Sequence, residues 1–148
     1  MKNTVLKIAT GMVMILLISG CSASGPKFTS FQKPKDGKSN LYLYRTSYLG
    51  GALTPDIHKT DKKTNSENLI GNIKPDGYIM TSIEPGEHKI WATTEVTNDL
   101  SLIAKADQIY CIEHYISMWF IVGHPQFKVV DLEKCTQEIK STRQSLQN

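Results

Sequence analysis

Glycine and proline interrupt this chain too often for long helices. Gly50-Gly51, Pro55-Asp56, Pro75-Asp76-Gly77 and Glu84-Pro85-Gly86-Glu87 each mark a turn or a loop. Glycine takes positive φ freely, proline presets φ, and aspartate bonds its own backbone. The runs between them are short and patterned for strands. Leu41-Tyr42-Leu43-Tyr44 is apolar on both faces and reads as a central strand. Ile57-His58-Lys59-Thr60 and residues 69–73 are shorter candidates. Ile79, Thr81 and Ile83 share one face of an arm before a type II turn at Pro85-Gly86, and Ile90, Ala92 and Thr94 share one face of the arm after it. Leu100, Leu102 and Ala104 alternate. Residues 109–122 form a long β-rich run that continues into, or turns back through, Ser117-Met118, and residues 127–130 make the last strand. The period then changes, with Leu132, Cys135, Ile139 and Leu146 on one helical stripe behind Asp131 as N-cap. The expected fold is all-β: an Ig-like, antiparallel β-sandwich of about seven strands with one C-terminal helix. No βαβ succession occurs, which speaks against nucleotide-binding α/β folds.

The first twenty residues stand apart. Lys2 and Lys7 precede an apolar stretch from Ile8 to Ile18, too short for a bilayer span at ~20 residues but suited to a signal peptide. It ends in Ile18-Ser19-Gly20-Cys21, which resembles a bacterial lipobox whose cysteine is acylated before cleavage. The sequence thus predicts a lipoprotein signal peptide over 1–20, an acylated Cys21 with a flexible tether over 21–38, and the β-sandwich domain over 39–148. Acyl chains contribute ~0.8 kcal/mol per buried methylene, enough to hold the chain on the bilayer. Ser22 after the cysteine, rather than Asp, matches the outer-membrane address of the enterobacterial sorting rule, facing the periplasm.

Composition then excludes whole classes. The 148 residues are 40% hydrophobic and 21% charged, ordinary for one globular domain. Loss of residues 1–20 would take two lysines, leaving fifteen basic against fourteen acidic residues. Such a balance lacks the basic excess of a nucleic-acid binder.

These runs also carry a likeness. Leu41-Tyr42-Leu43-Tyr44-Arg45, Gly51-Ala52-Leu53-Thr54-Pro55-Asp56, Gly77-Tyr78, Glu84-Pro85-Gly86-Glu87-His88 and Ile109-Tyr110 occur in the order seen in a bacterial lipoprotein group. The chain resembles the domain-of-unknown-function 2846 (DUF2846) family from about Leu41 to Glu138. Cys111 departs from it where many relatives have a second tyrosine, and Thr46 follows Arg45 in place of proline. The resemblance implies an envelope lipoprotein with a β-sandwich fold and supplies no established activity.

Enzyme motifs are missing. There is no Gly-x-Ser-x-Gly elbow and no His-Glu-x-x-His. Asp36-Gly37-Lys38-Ser39 lacks the first glycine of a phosphate loop and reads as solvated chain. His58, His88, His114 and His124 are scattered; His114 and His124 could meet across a hairpin, but Glu113 beside His114 must face the other way. Surface or capping roles fit these histidines better than zinc. Trp91, Trp119 and Phe120 are either core or a stacking platform for sugars, with core favoured for Trp91.

The remaining expectations concern binding. The function read from the sequence is a non-catalytic binding or structural accessory module, not an enzyme, with no cofactor or metal. Its partners would be the lipid bilayer through Cys21 and an envelope protein or peptidoglycan. The alternatives are a small periplasmic hydrolase or a carbohydrate-binding module. The loop over 46–55, too long for a tight hairpin, offers Tyr48 and Leu49 as candidate contacts, unless they only cover one end of the sandwich. With Cys21 consumed by lipid, Cys111 and Cys135 are left as an even pair in an oxidising compartment. A disulfide between them would staple the helix to the sheet; two buried thiols are the alternative.

Overall fold

The computed structural model describes residues 22–146. The expected signal peptide and the expected acylation site, Cys21, lie outside the described residues. The described elements are β1 (Ser39–Arg45), β2 (Asp56–Asp61), β3 (Glu67–Asn72), β4 (Gly77–Ile83), β5 (Gly86–Thr93), β6 (Thr97–Ala104), β7 (Ile109–Trp119), β8 (Val122–Val130), helix α1 (Leu132–Ile139) and β9 (Arg143–Gln144). They form a five-stranded sheet, β8-β7-β1-β4-β9, and a four-stranded sheet, β3-β2-β5-β6.

The doubly apolar sequence of β1 explains its place. All seven residues are buried, and the strand lies between β7 and β4 in the middle of its sheet. Leu41 and Leu43 face the four-stranded sheet, in a cluster with Ile79, Ile83 and Ile112 on their own side and Ile57, Ile90, Ala92, Leu102 and Ala104 on the other. Each fully buried leucine or isoleucine contributes ~1.5–3 kcal/mol. Tyr42 and Tyr44 face the opposite way, packed with Phe28, Cys111, Val130, Cys135 and Ile139. The protein therefore has three layers: a four-stranded sheet, a five-stranded sheet, and a cover of α1 with the N-terminal segment.

The all-β reading with one C-terminal helix holds, and four features refine it. First, β1 pairs with β7 and β4 with β9 in parallel; the other pairings are antiparallel. Second, β4 and β5 are not partners. The Pro85-Gly86 corner carries the chain from one sheet to the other, and Gly86 has φ 138°, outside a type II turn. Third, β7 turns back at Phe120-Ile121, not at Ser117-Met118, with Trp119 paired to Val122 and Phe120 at φ 55°. Residues 127–130 are the end of the longer β8. Fourth, the helix stops at Ile139, and Leu146 lies beyond β9, outside the expected stripe. Asp131 caps α1 as expected, accepting from Lys134 N at 2.8 Å.

The described part of the expected tether is packed on the domain. Ala23 and Phe28 are buried. Ala23 N donates to Pro75 O, Gly25 N to Gln144 O and Phe28 N to Thr142 O, and Lys27 forms a bridge with Arg143. The rings of Phe28 and Phe31 meet Tyr42 edge-on at 6.1 and 5.0 Å. Apolar aromatics in a segment that reads as solvated chain are what pull it down.

Helix α1 is fastened three ways. Cys111 and Cys135 sit at disulfide distance, 2.04 Å between sulfurs and 6.2 Å between Cα atoms. Tyr44 donates to Glu138 Oε2 at 2.5 Å, and Lys134 Nζ reaches Glu113 Oε2 at 2.7 Å. Burial and the Glu138 carboxylate push the Tyr44 hydroxyl pKa up, so it stays a donor.

Candidate functional site

One end of the sandwich collects the features that the fold alone does not need. It begins at Arg45, the last residue of β1. Leu41, Leu43 and Arg45 alternate toward the inter-sheet core, so strand geometry drives a guanidinium inward where a third apolar side chain would fit. Arg45 is completely buried. Among the described residues no carboxylate pairs with it. Its Nε donates to Ser47 O at 3.1 Å, one terminal nitrogen to Leu53 O at 2.7 Å, and the other to Leu49 O at 2.9 Å and Gly50 O at 3.0 Å. Burial pulls its pKa down to about 10, still well above neutrality. A buried cation normally demands an anion. Here four carbonyl dipoles of the 46–55 loop take that role, and the loop is shaped around the charge.

His114 lies beside it, one position on from the pairing of Tyr44 with Glu113. Burial first, and the neighbouring Arg45 cation second, pull its pKa down to about 3. The neutral ring donates from Nδ1 to Gln126 O at 3.0 Å. Nε2 is buried without a partner. The polar pair closes this end of the inter-sheet core.

The loop is seated as well as tied. Gly50 has φ 64°, and a Cβ there would lie 2.8 Å from Ile116 Cγ2 on β7. Only glycine accepts both the left-handed backbone and that approach. So fixed, the loop turns Tyr48 and Leu49 outward, each more than half exposed. Leu53 instead tucks under the β7–β8 hairpin against Gly123.

That hairpin supplies the rest of the site. Trp119, Phe120 and Ile121 are 69%, 98% and 89% exposed, with Met118 partly exposed behind them. Its base is bound to the β5–β6 turn, where Thr94 Oγ1 donates to Gly123 O and Gly123 N donates to Glu95 Oε2. Exposed apolar residues in a run are uncommon on a soluble surface and mark contact sites. Tyr48, Leu49, Met118, Trp119, Phe120 and Ile121 therefore make an apolar end on a rigid frame.

The sequence-derived candidates sort as follows. Tyr48 and Leu49 are at this end and exposed. Trp119 and Phe120 are not core, because they form the hairpin tip. Trp91 is not in the inter-sheet core either: it lies on the outer face of the four-stranded sheet, stacked on His58 at 4.4 Å and donating to Thr60 Oγ1 at 3.1 Å. His114 and His124 do not face each other, since His114 opposes Phe127 and His124 opposes Ser117. His88 is buried with Nε2 bonded to Glu84 O at 2.7 Å, as a cap on the sheet-crossing corner. Among the described residues no three of His, Cys, Asp or Glu gather around a common point.

Sequence reasoning missed Arg45 as the organiser of the loop and Ile121 as part of the tip. Each left a signal. An arginine ending a strand that is apolar on both faces has nowhere to go but inward, and Trp119-Phe120-Ile121-Val122 breaks strand alternation at a turn.

Comparison with known proteins places these features in a wider set. A family model described as "Protein of unknown function (DUF2846)" matches residues 35–127, a span that holds Arg45, the loop and the hairpin tip. An uncharacterized protein of Haemophilus influenzae is 34% identical over 105 residues, which is 70% of this chain and 59% of that protein. The match thus spans less than two thirds of that relative. No solved structure matches.

Proposed function

The chain belongs to the DUF2846 family, and from that premise we propose that it is an envelope lipoprotein. In this reading it is anchored by Cys21, most naturally in the outer membrane facing the periplasm, and acts as a non-catalytic binding or structural accessory module. Its working surface is the apolar end built from Tyr48, Leu49 and the β7–β8 tip. The observation that carries this is Arg45. A fully buried cation held by four backbone carbonyls of one loop stabilises the shape of that loop. The result is a preformed surface, which lowers the ordering cost of binding a partner. The lipobox-like Ile18-Ser19-Gly20-Cys21 supports the anchoring.

Two measurements test the reading. Cys21→Ala should leave an uncleaved, unacylated precursor by mass spectrometry; maturation to normal size would refute the anchor. A photocrosslinking residue at position 48 should form an adduct with one envelope component, and one at exposed position 62 should not. Equal adduct patterns at both positions, or substrate turnover by the purified protein, would overturn the module.

A further inference from the structure

The described chain begins at the same end that carries the apolar tip. Gly77 stands level with Arg45 in the β1–β4 register. Pro75, just before it, accepts from Ala23 N at 3.0 Å, and a Cβ on Gly51 of the loop would lie 3.8 Å from Pro75 Cγ. Ala23, Pro75 and the 46–55 loop are therefore contiguous. β7 runs alongside β1 in the same direction and continues past the end of β1 from His114 through Trp119. At ~3.3 Å per residue the hairpin overhangs that end by roughly 16–20 Å. The loop fills the step beneath the overhang, with Gly50 against Ile116 and Leu53 against Gly123.

The length of chain outside the structure decides what this end faces. Ala23 is buried and hydrogen-bonded, and Cys21 is two residues before it. Two residues reach at most ~7 Å. Acyl chains on Cys21 could not hold the domain away from the lipid on a long leash; they would bring this end down onto it. The exposed side chains there are those that favour a membrane interface. Tyr48 and Trp119 carry amphipathic rings suited to the headgroup level, and Phe120, Ile121 and Leu49 are purely apolar.

Resting on the lipoprotein reading above, we infer that the partner of this surface is the bilayer itself. The β7–β8 tip, with Trp119, Phe120 and Ile121, inserts into the leaflet that holds the acyl chains of Cys21, and Tyr48 and Leu49 lie along it. The domain is then held at two points and oriented. Trp91 and His58 lie on the outer face of the four-stranded sheet, about 10 Å back along β5 from the Thr94–Gly123 contact at the hairpin base, and stay in the aqueous phase beside the inserted tip.

The test uses the full acylated protein reconstituted in vesicles of phosphatidylethanolamine and phosphatidylglycerol, plain or with brominated acyl chains. Trp91 and Trp119 are the two tryptophans of the sequence. Bromines quench an indole within the leaflet. Wild-type emission should fall in brominated vesicles, and Trp119→Phe, which leaves Trp91 as reporter, should lose that quenching at an unchanged melting temperature. Phe120→Ser with Ile121→Ser should reduce the quenching of Trp119 while the protein stays in the vesicle fraction. Acylation is read first by intact mass: absence of lipid on Cys21 overturns the lipoprotein reading. An acylated protein whose Trp119 is unquenched overturns the insertion alone, whether the indole emits as water-exposed or is blue-shifted by a second copy covering it.

Discussion

Arg45→Met is the substitution whose outcome the structure fixes most closely. It removes four charge-assisted hydrogen bonds, to Ser47, Leu49, Gly50 and Leu53. Each such bond contributes ~1.5–3 kcal/mol when it is lost from a buried site. Two effects offset the loss. The variant no longer buries a cation without an anion, and Leu49 is exposed and Gly50 half-buried, so water can replace the guanidinium at their carbonyls. Allowing for both, the net destabilisation is about 2–4 kcal/mol. For a domain of this size that lowers Tm by about 10–15 °C. The stem of methionine fills most of the space of the arginine stem, so little of this comes from a void. Arg45→Lys keeps the charge but loses the fork, and should fall between wild type and Arg45→Met. Thermal melting by circular dichroism measures the first effect. Limited chymotrypsin digestion measures the second, since Tyr48 and Leu49 resist cleavage only while the loop is held. An Arg45→Met protein that melts within about 3 °C of wild type and stays uncut at Tyr48 and Leu49 would refute the organising role of the guanidinium.

Other consequences are as direct. Reducing the Cys111–Cys135 pair, which closes a segment of sequence separation 24, should cost ~3.5 kcal/mol on the chain-entropy model, read as a lower Tm in dithiothreitol. Non-reducing mass spectrometry that finds both thiols free to alkylate would contradict the pairing. His114 sets an acid limb: its pKa is pulled from 6.5 to about 3 in the fold. Below pH 6.5 the unfolded chain binds a proton that the folded chain refuses, so this stability is present above 6.5 and lost as pH falls toward 3. Denaturant titrations at pH 7 and pH 4 should show His114→Gln losing about 3 kcal/mol less than wild type over that interval; equal losses would assign the acid sensitivity elsewhere. Gly50→Ala forces a Cβ into left-handed backbone and against Ile116, for a stability loss of about 2 kcal/mol, measured from the shift of the denaturation midpoint at unchanged slope.

The sequence by itself determined the class of fold and its central strand. Short apolar runs between Gly and Pro turns can only pair as strands, and Leu41-Tyr42-Leu43-Tyr44, apolar on both sides, had to lie mid-sheet with a layer on each face. Asp131 and the stripe through Cys135 and Ile139 marked the late helix, while the meeting of Cys135 with Cys111 on β7 was decided by how that helix packs on the sheet. Tertiary structure decided the rest. Whether β4 folds back on β5 or crosses to the other sheet depends on which partner buries Ile79 and Ile83 better, and the Pro85-Gly86 corner permits either. The parallel pairing of β1 with β7 joins residues far apart in sequence, for which no local pattern speaks. The packing of residues 22–38 hangs on Phe28 and Phe31 finding Tyr42 across the sheet. Arg45 is the clearest case: its alternation pointed it inward, but only the closed sandwich shows that the carbonyls of its own loop take the place of a counter-ion. Period and propensity act over a few residues, whereas the charge balance of a buried site is settled by whatever the whole chain brings to it.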